Sequence, residues 1–246
     1  MRVAAIYDIH GNLPALEAVL QDIRQAEVDH VVVGGDVVPG PMPRETLTRL
    51  LDLSIPVQFI QGNGEVAVLA EMAGTESIVP EQFREVMRWN AQRLHPEDEQ
   101  VLASWPQTIR VEIRGLGEVL FCHATPRNDT EVFTRLTPED RLLPVFEAVN
   151  VPLVICGHTH MQFDRTIGRI RVVNAGSVGM PYGEPGAYWL LLGPNVQFQH
   201  TLYDLTSAAE RIRDTKYPQA QDFAHNVLQP RSEREVLEVF AKAELR

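Results

Sequence analysis

The sequence predicts an α/β fold built around two sheets, and two observations carry that prediction. Through the first third of the chain a β-rich run, a polar turn and a segment of helical periodicity recur in that order, as strands and helices do across a parallel sheet. From Thr108 onward, apolar runs return at closer spacing, which assigns those strands to a second sheet.

Arg2 to Tyr7 reads as a strand ending in Asp8-Ile9-His10-Gly11-Asn12, and Leu13, Leu16, Val19, Leu20 and Ile23 follow at helical spacing. His30 to Val33 forms the second strand and leads into Gly34-Gly35-Asp36, proline-rich punctuation and a helix from Arg44 to Leu53. Val57 to Ile60 is the third, followed by Gln61-Gly62-Asn63-Gly64-Glu65. The segment 74–105, with Met87, Trp89 and His95, breaks this rhythm and reads as a helical insertion. Strands are then expected at Ile109–Ile113, Val119–Cys122, Leu153–Cys156, Ile170–Val173, Tyr188–Leu192 and Val196–Thr201, with a helix near Pro138–Val149. Thr206 to Arg246 is polar and helix-like, and Ser232 and Glu235 have the spacing of a capping box.

With 246 residues, 44% of them hydrophobic, the chain can bury a full core, and one domain with embellishments is expected. Runs such as Val31-Val32-Val33 and Leu190-Leu191-Leu192 end at polar or turn residues. They fall far short of the roughly 20 apolar residues that span a bilayer, so no membrane partner is expected. The first residues pass directly into a strand without the apolar stretch of a signal peptide, which predicts a cytoplasmic location. Cys122 and Cys156 each close an apolar run and read as reduced core residues. A formal net charge of −11 argues against general nucleic-acid binding through a basic surface. A phosphate substrate remains compatible with it, because bound divalent cations can hold anions inside an acidic protein.

The chemistry-bearing residues gather at strand ends. Asp8 and His10 lie two apart where the first strand stops; Asp36 follows the glycines after the second; Asn63 follows the third. Singly, each reads equally well as a turn or helix-cap residue. Asp8 and Asp36, on neighbouring parallel strands, would stand side by side, an arrangement that is costly without a cation or proton between them. Gly157-His158-Thr159-His160 is the sharpest local signal. With 16 Gly and 8 His in the chain, a Gly-His-any-His match arises by chance on the order of 0.02 times per chain. His123 ends the preceding apolar run in the same way, and imidazole is a common ligand for Zn, Fe, Mn and Ni. Asn174-Ala175-Gly176-Ser177-Val178-Gly179 reads either as a plain turn or as a loop presenting backbone N–H groups to an anion.

Taken together, Asp8-Ile9-His10, Gly35-Asp36, Gly62-Asn63, His123 and Gly157-His158-Thr159-His160 resemble, in order and spacing, the calcineurin-like metallophosphoesterase superfamily, in particular its small bacterial and archaeal phosphodiesterase branch. The resemblance runs from Met1 to about Leu192. It implies a four-layer αββα sandwich with two mixed sheets, residues 1–205 forming the domain around the 74–105 insertion and 206–246 a helical extension packed on it. It also implies two divalent ions (Mn, Fe, Zn or Ni), one held by Asp8, His10, Asp36 and His160 and the other by Asp36, Asn63, His123 and His158, with Asp36 bridging. A water shared by the ions would attack the phosphorus of a mono- or diester or nucleotide substrate. Asp36, Asn63 and His123 are the residues expected to act in the reaction, and Asn12, Asn63 and Ser177 those expected to contact substrate. The family often continues Gly-Asn with a His that protonates the leaving group, where this chain has Gly64. Other readings of the same fold are a metal-binding interaction scaffold and a nucleotide-binding regulatory module with little turnover.

Overall fold

The computed structural model describes residues 1–75 and 79–245; Glu76, Ser77 and Ile78 of the expected insertion and Arg246 of the expected tail lie outside them. The first unit comprises β1 (Val3–Ile6), α1 (Leu13–Gln25), β2 (His30–Val33), α2 (Pro43–Leu51), β3 (Val57–Phe59) and α3 (Asn63–Met72). Asn12 caps α1 by accepting the Ala15 N–H, and Pro14 and Pro43 sit in the first turns of α1 and α2, where a missing N–H costs nothing. Helices α4 (Glu81–Ala91) and α5 (Pro96–Ala103) occupy the described part of the insertion.

The second unit contains β4 (Thr108–Ile113), β5 (Gly117–Cys122), α6 (Glu139–Phe146), β6 (Leu153–Cys156), β7 (Phe163–Ile167) and β8 (Ile170–Asn174). The strands β9 (Ala187–Leu192) and β10 (Val196–Thr201) then return to the first sheet, and α7 (Leu205–Arg213), α8 (Ala220–Leu228) and α9 (Glu233–Phe240) end the chain.

Each sheet has five strands. The first has the order β10-β9-β1-β2-β3, with β1, β2 and β3 parallel and β9 and β10 antiparallel. The second has the order β4-β5-β6-β8-β7, with β5, β6 and β8 parallel between antiparallel edges. Strand alternation sorts the side chains into layers. Ala4 and Ile6 join Leu16, Val19, Leu20 and Leu47 beneath the helices, while Val3, Ala5 and Tyr7 join Phe121, Ile155 and Val173 between the sheets. On the far side, Leu120, Cys122, Val154 and Cys156 pack on Leu142, Val145 and Phe146 of α6. The order is therefore helix, sheet, sheet, helix, the expected αββα arrangement.

The strand β7 departs from the expected elements. Only its ends, Phe163 and Ile167, are buried, and Asp164, Arg165 and Thr166 lie between them, so it lacks the apolar run that marks the other strands. It is an edge strand held by β8 and by the Arg171–Asp164 ion pair. Cys122 and Cys156 are free and buried. The terminal helices bring Ala208, Ile212, Phe223 and Val227 against Met42 and Val86, and α9 brings Val236 and Leu237 against Met161. Among the described residues, no helix is long and apolar enough to cross a membrane.

Candidate metal centre

Every residue singled out in the sequence follows a strand. Asp8 and His10 follow β1, Asp36 follows β2, Asn63 opens α3 beyond β3, His123 follows β5, and His158 and His160 follow β6. Backbone ties bring the two sets of strand ends together. The Gly157 N–H donates to the His123 carbonyl at 2.8 Å, the Val178 N–H to Tyr7 O at 3.0 Å, and the Gly179 N–H to Asp8 O at 3.0 Å. His158 N–H donates to Asp8 Oδ2 at 2.8 Å across the two sheets. The local backbone is unusual: Asp8, His10, Asp36, His158 and His160 have φ of 53°, 48°, 52°, 67° and 57°. For residues other than glycine this left-handed region costs roughly 1–2 kcal/mol each. Its concentration at one place marks a site whose geometry is held by its surroundings.

Three contacts disclose what that geometry accommodates. His10 Nδ1 and His160 Nδ1 donate to the carbonyls of Pro39 and Met180, at 3.2 and 2.7 Å, so their Nε2 atoms carry the lone pairs. Those two Nε2 atoms face each other at 3.2 Å. His123 repeats the arrangement: Nδ1 donates to Gly34 O at 2.9 Å, and Nε2 lies 3.0 Å from Asn63 Oδ1, another acceptor. Asp8 Oδ1 is buried with no hydrogen-bond partner, 3.5 Å from His160 Nε2 and 3.9 Å from His123 Nε2. Acceptors converging on one space require a positive charge among them, from protons or from metal ions.

The electrostatics agree. Burial alone would raise the Asp8 carboxyl, but His160, His123 and His10 outweigh it and hold it low. Burial opposes charge on His123 and His160 as well, yet Asp36 and Asp8 raise the first and Asp8 raises the second. Burial lowers His10 and, with His123 beside it, brings His158 down to about 4, leaving that ring neutral at neutral pH.

Among the described residues, two groups of donors are close enough for an ion each: Asp8, His10 and His160, and Asp8, Asp36 and His123, with all donor atoms of a group within 4.8 Å of one another. Mixed oxygen and imidazole nitrogen donors fit Zn, Mn, Fe or Ni better than Ca or Mg. Asp36 reaches both groups, with Oδ2 3.6 Å from His10 Nε2 and Oδ1 3.6 Å from His123 Nε2. Asp8, expected at one ion alone, belongs to both groups. Asn63 stands beside His123. His158 lies outside both groups; its ring is 5.2 Å from that of His123, and its Nε2 meets Thr130 O at 3.2 Å, which leaves Nδ1 as the nitrogen for an ion.

Asn12 and Ser177, expected to contact substrate, are both buried and hydrogen-bonded to backbone. Asn12 is fully buried, with its amide donating to Gly179 O at 2.9 Å and its oxygen capping α1. Ser177 is buried and donates to Asp8 O at 2.7 Å while accepting the Met180 N–H, so it fixes the Asp8 backbone. Arg127 is bound to Glu131. Sequence reasoning passed over Glu65, whose buried carboxylate accepts the N–H groups of Asp36, Val37, Val38 and Gly62 at 2.8, 2.7, 3.1 and 2.8 Å. Its signal was present: an acid at the third helical position reaching back to the cap residue Gly62.

The family model of the calcineurin-like phosphoesterase superfamily domain matches residues 1–193, the span that contains every one of these residues. The chain belongs to that superfamily. The uncharacterized protein MJ0912 of Methanocaldococcus jannaschii is 29% identical over 241 residues, covering 88% of this chain and 94% of its own. Hypothetical protein PH1004 of Pyrococcus horikoshii superposes with a TM-score of 0.79 at 21% identity, covering 92% of this chain and 98% of PH1004. A metallophosphoesterase from Sphaerobacter thermophilus superposes with a TM-score of 0.73 at 26% identity, covering 94% and 99% of the two chains.

Proposed function

We propose that this protein hydrolyses phosphate esters with two divalent metal ions held by Asp8, His10, Asp36, Asn63, His123, His158 and His160. The observation that carries the reading is the facing of Nε2 on His10 and His160, 3.2 Å apart, beside the unpartnered Asp8 Oδ1. Such ions supply a Lewis acid for the phosphoryl oxygens and a bound water acidic enough to act near neutral pH. The chain's own part is positioning. Asp36, turned toward both donor groups, keeps them at fixed separation, and the Gly64 N–H donates to Asp36 Oδ1 at 2.7 Å to hold that orientation.

Gly64 has a second consequence. A side chain there would collide with Val38 O and Asp36 Oδ1, so no acid is supplied to the leaving oxygen from this position. General acid help contributes roughly 10²–10⁴ in rate and matters most for poor leaving groups. We therefore expect nitrophenyl esters to be turned over far faster than alkyl esters when chemistry limits the rate.

The test is hydrolysis of 4-nitrophenyl phosphate and its bis-ester after metal removal and reloading with Mn, Co, Ni or Zn. Activity is expected with at least one ion, and Asp36→Ala should abolish it. Absence of turnover with every ion, each shown by elemental analysis to be bound, would overturn the reading in favour of a scaffold. Equal turnover of alkyl and nitrophenyl esters would overturn the leaving-group argument alone.

A further inference from the structure

Beside Asn63 the surface opens into a cavity of about 520 Å³ between α3 and α4. Val66 and Ala70 of α3 face Phe83 and Met87 of α4 across it, and Asn63 and Thr130 form its inner end. Those two residues join it to the candidate centre: Asn63 Oδ1 lies 3.0 Å from His123 Nε2, and Thr130 O lies 3.2 Å from His158 Nε2. Among the described lining residues none is Lys, Arg or His, and the one charged group is Asp129. Phe83 and Val66 are 42% and 39% exposed.

We propose that this cavity receives the ester group of the substrate, and that the group is uncharged, apolar and of aryl or comparable bulk. The inference rests on the phosphoesterase reading. A phosphoryl group at the centre, on the side of Asn63 and His123, places its ester substituent within reach of the inner end of the cavity. The volume lies in the range that encloses small organic ligands. A lining without cations, carrying one carboxylate, disfavours further phosphates or carboxylates on the substituent. In the reaction the water gives up one proton to solvent, its oxygen bonds to phosphorus and the P–O ester bond breaks. The ester oxygen leaves with the electron pair, takes a proton from solvent, and departs as an alcohol or phenol from an apolar wall. That wall also favours phenols, the better leaving groups that a centre without an acid at Gly64 requires.

The experiment compares phenyl with 1-naphthyl phosphate, as monoesters and as methyl diesters, in the metal-loaded full chain. The two phenols are of similar acidity, so the ratio of kcat/KM reads the size of the apolar group. Wild type should favour naphthyl by about tenfold or more. Ala70→Phe, which fills the cavity from α3, should bring the ratio toward one, with circular dichroism and bound-metal content equal to wild type reporting correct folding. Phe83→Ala truncates a half-exposed side chain and should lower the ratio as well. A wild-type ratio near one, or a ratio unchanged in both variants, overturns the proposal.

If no ester is hydrolysed with any ion, the hydrolytic reading has failed. The cavity is then read by fluorescence titration with 1-naphthylphosphonate, which has no ester bond to break. Binding weakened by both variants supports an apolar site, and binding unaffected by them, or no binding to wild type, overturns it.

Discussion

Glu65 ties the two ends of the candidate centre together although it belongs to neither donor group. Three of its four N–H partners belong to Asp36, Val37 and Val38, the turn that holds Asp36 at φ 52°, and the fourth belongs to Gly62, immediately before Asn63. Burial and the nearby Asp36 push its carboxyl up to about 8, and the N–H groups of Val38, Gly62 and Asp36 pull the other way. Glu65→Ala leaves those donors without an acceptor in the interior. A buried group stripped of its partner costs about 1–3 kcal/mol, so a combined loss of roughly 3–5 kcal/mol is expected from denaturant unfolding. Because Asp36 and Asn63 lose their support together, metal affinity should fall by about 10–100-fold, as for other partners of metal ligands. Glu65→Gln keeps one acceptor oxygen and should lie between. Unchanged midpoint and unchanged metal titration in Glu65→Ala would remove this role.

At the scale of elements, the strand ends were legible because each apolar run is followed by an Asp, Asn or His, and the αββα order by resemblance. The strand β7 was not, since apolar residues at its two ends alone give no period to read. The left-handed backbone of Asp8, His10, Asp36, His158 and His160 and the reach of Asp8 into both donor groups depend on contacts between residues distant in sequence. So does the cavity between α3 and α4, whose walls are ordinary apolar helix residues. The capping box of α9 was read correctly: the Glu235 N–H donates to Ser232 Oγ at 3.4 Å, and the Ser232 N–H and hydroxyl donate to Glu235 Oε2 at 3.2 and 2.7 Å. What the sequence did not reveal is where this helix leans. Phe240 packs edge-on against Tyr182, which stacks on the His160 ring at 5.6 Å. Ser232→Ala should speed amide exchange in α9 by roughly fivefold, the effect of losing a helix cap. Exchange in β1 and β6 should be unchanged. Identical protection of α9 in the variant would show that the cap contributes nothing to the packing of the tail.

The whole molecule is joined at the centre, because its donors come from both sheets: Asp8, Asp36 and Asn63 from the ends of β1, β2 and β3, and His123, His158 and His160 from the ends of β5 and β6. An ion that draws on both sets can bind tightly only while the sheets are stacked, so its binding free energy becomes stability of the sandwich as a unit. At a free metal concentration of about 100 times Kd, binding to the folded form alone adds roughly 2.7 kcal/mol. For a chain of this size, each kcal/mol moves the midpoint by about 2–4 °C, which places the expected rise in Tm at roughly 5–11 °C. Calorimetry with and without chelator should therefore show one transition that moves as a whole, reversibly on adding Mn back. In Asp8→Asn, which removes the carboxylate common to both donor groups, the metal-dependent rise should be lost. Two transitions of which one responds to metal would mean that the ions stabilise a single sheet, and a rise retained in Asp8→Asn would place them elsewhere on the acidic surface.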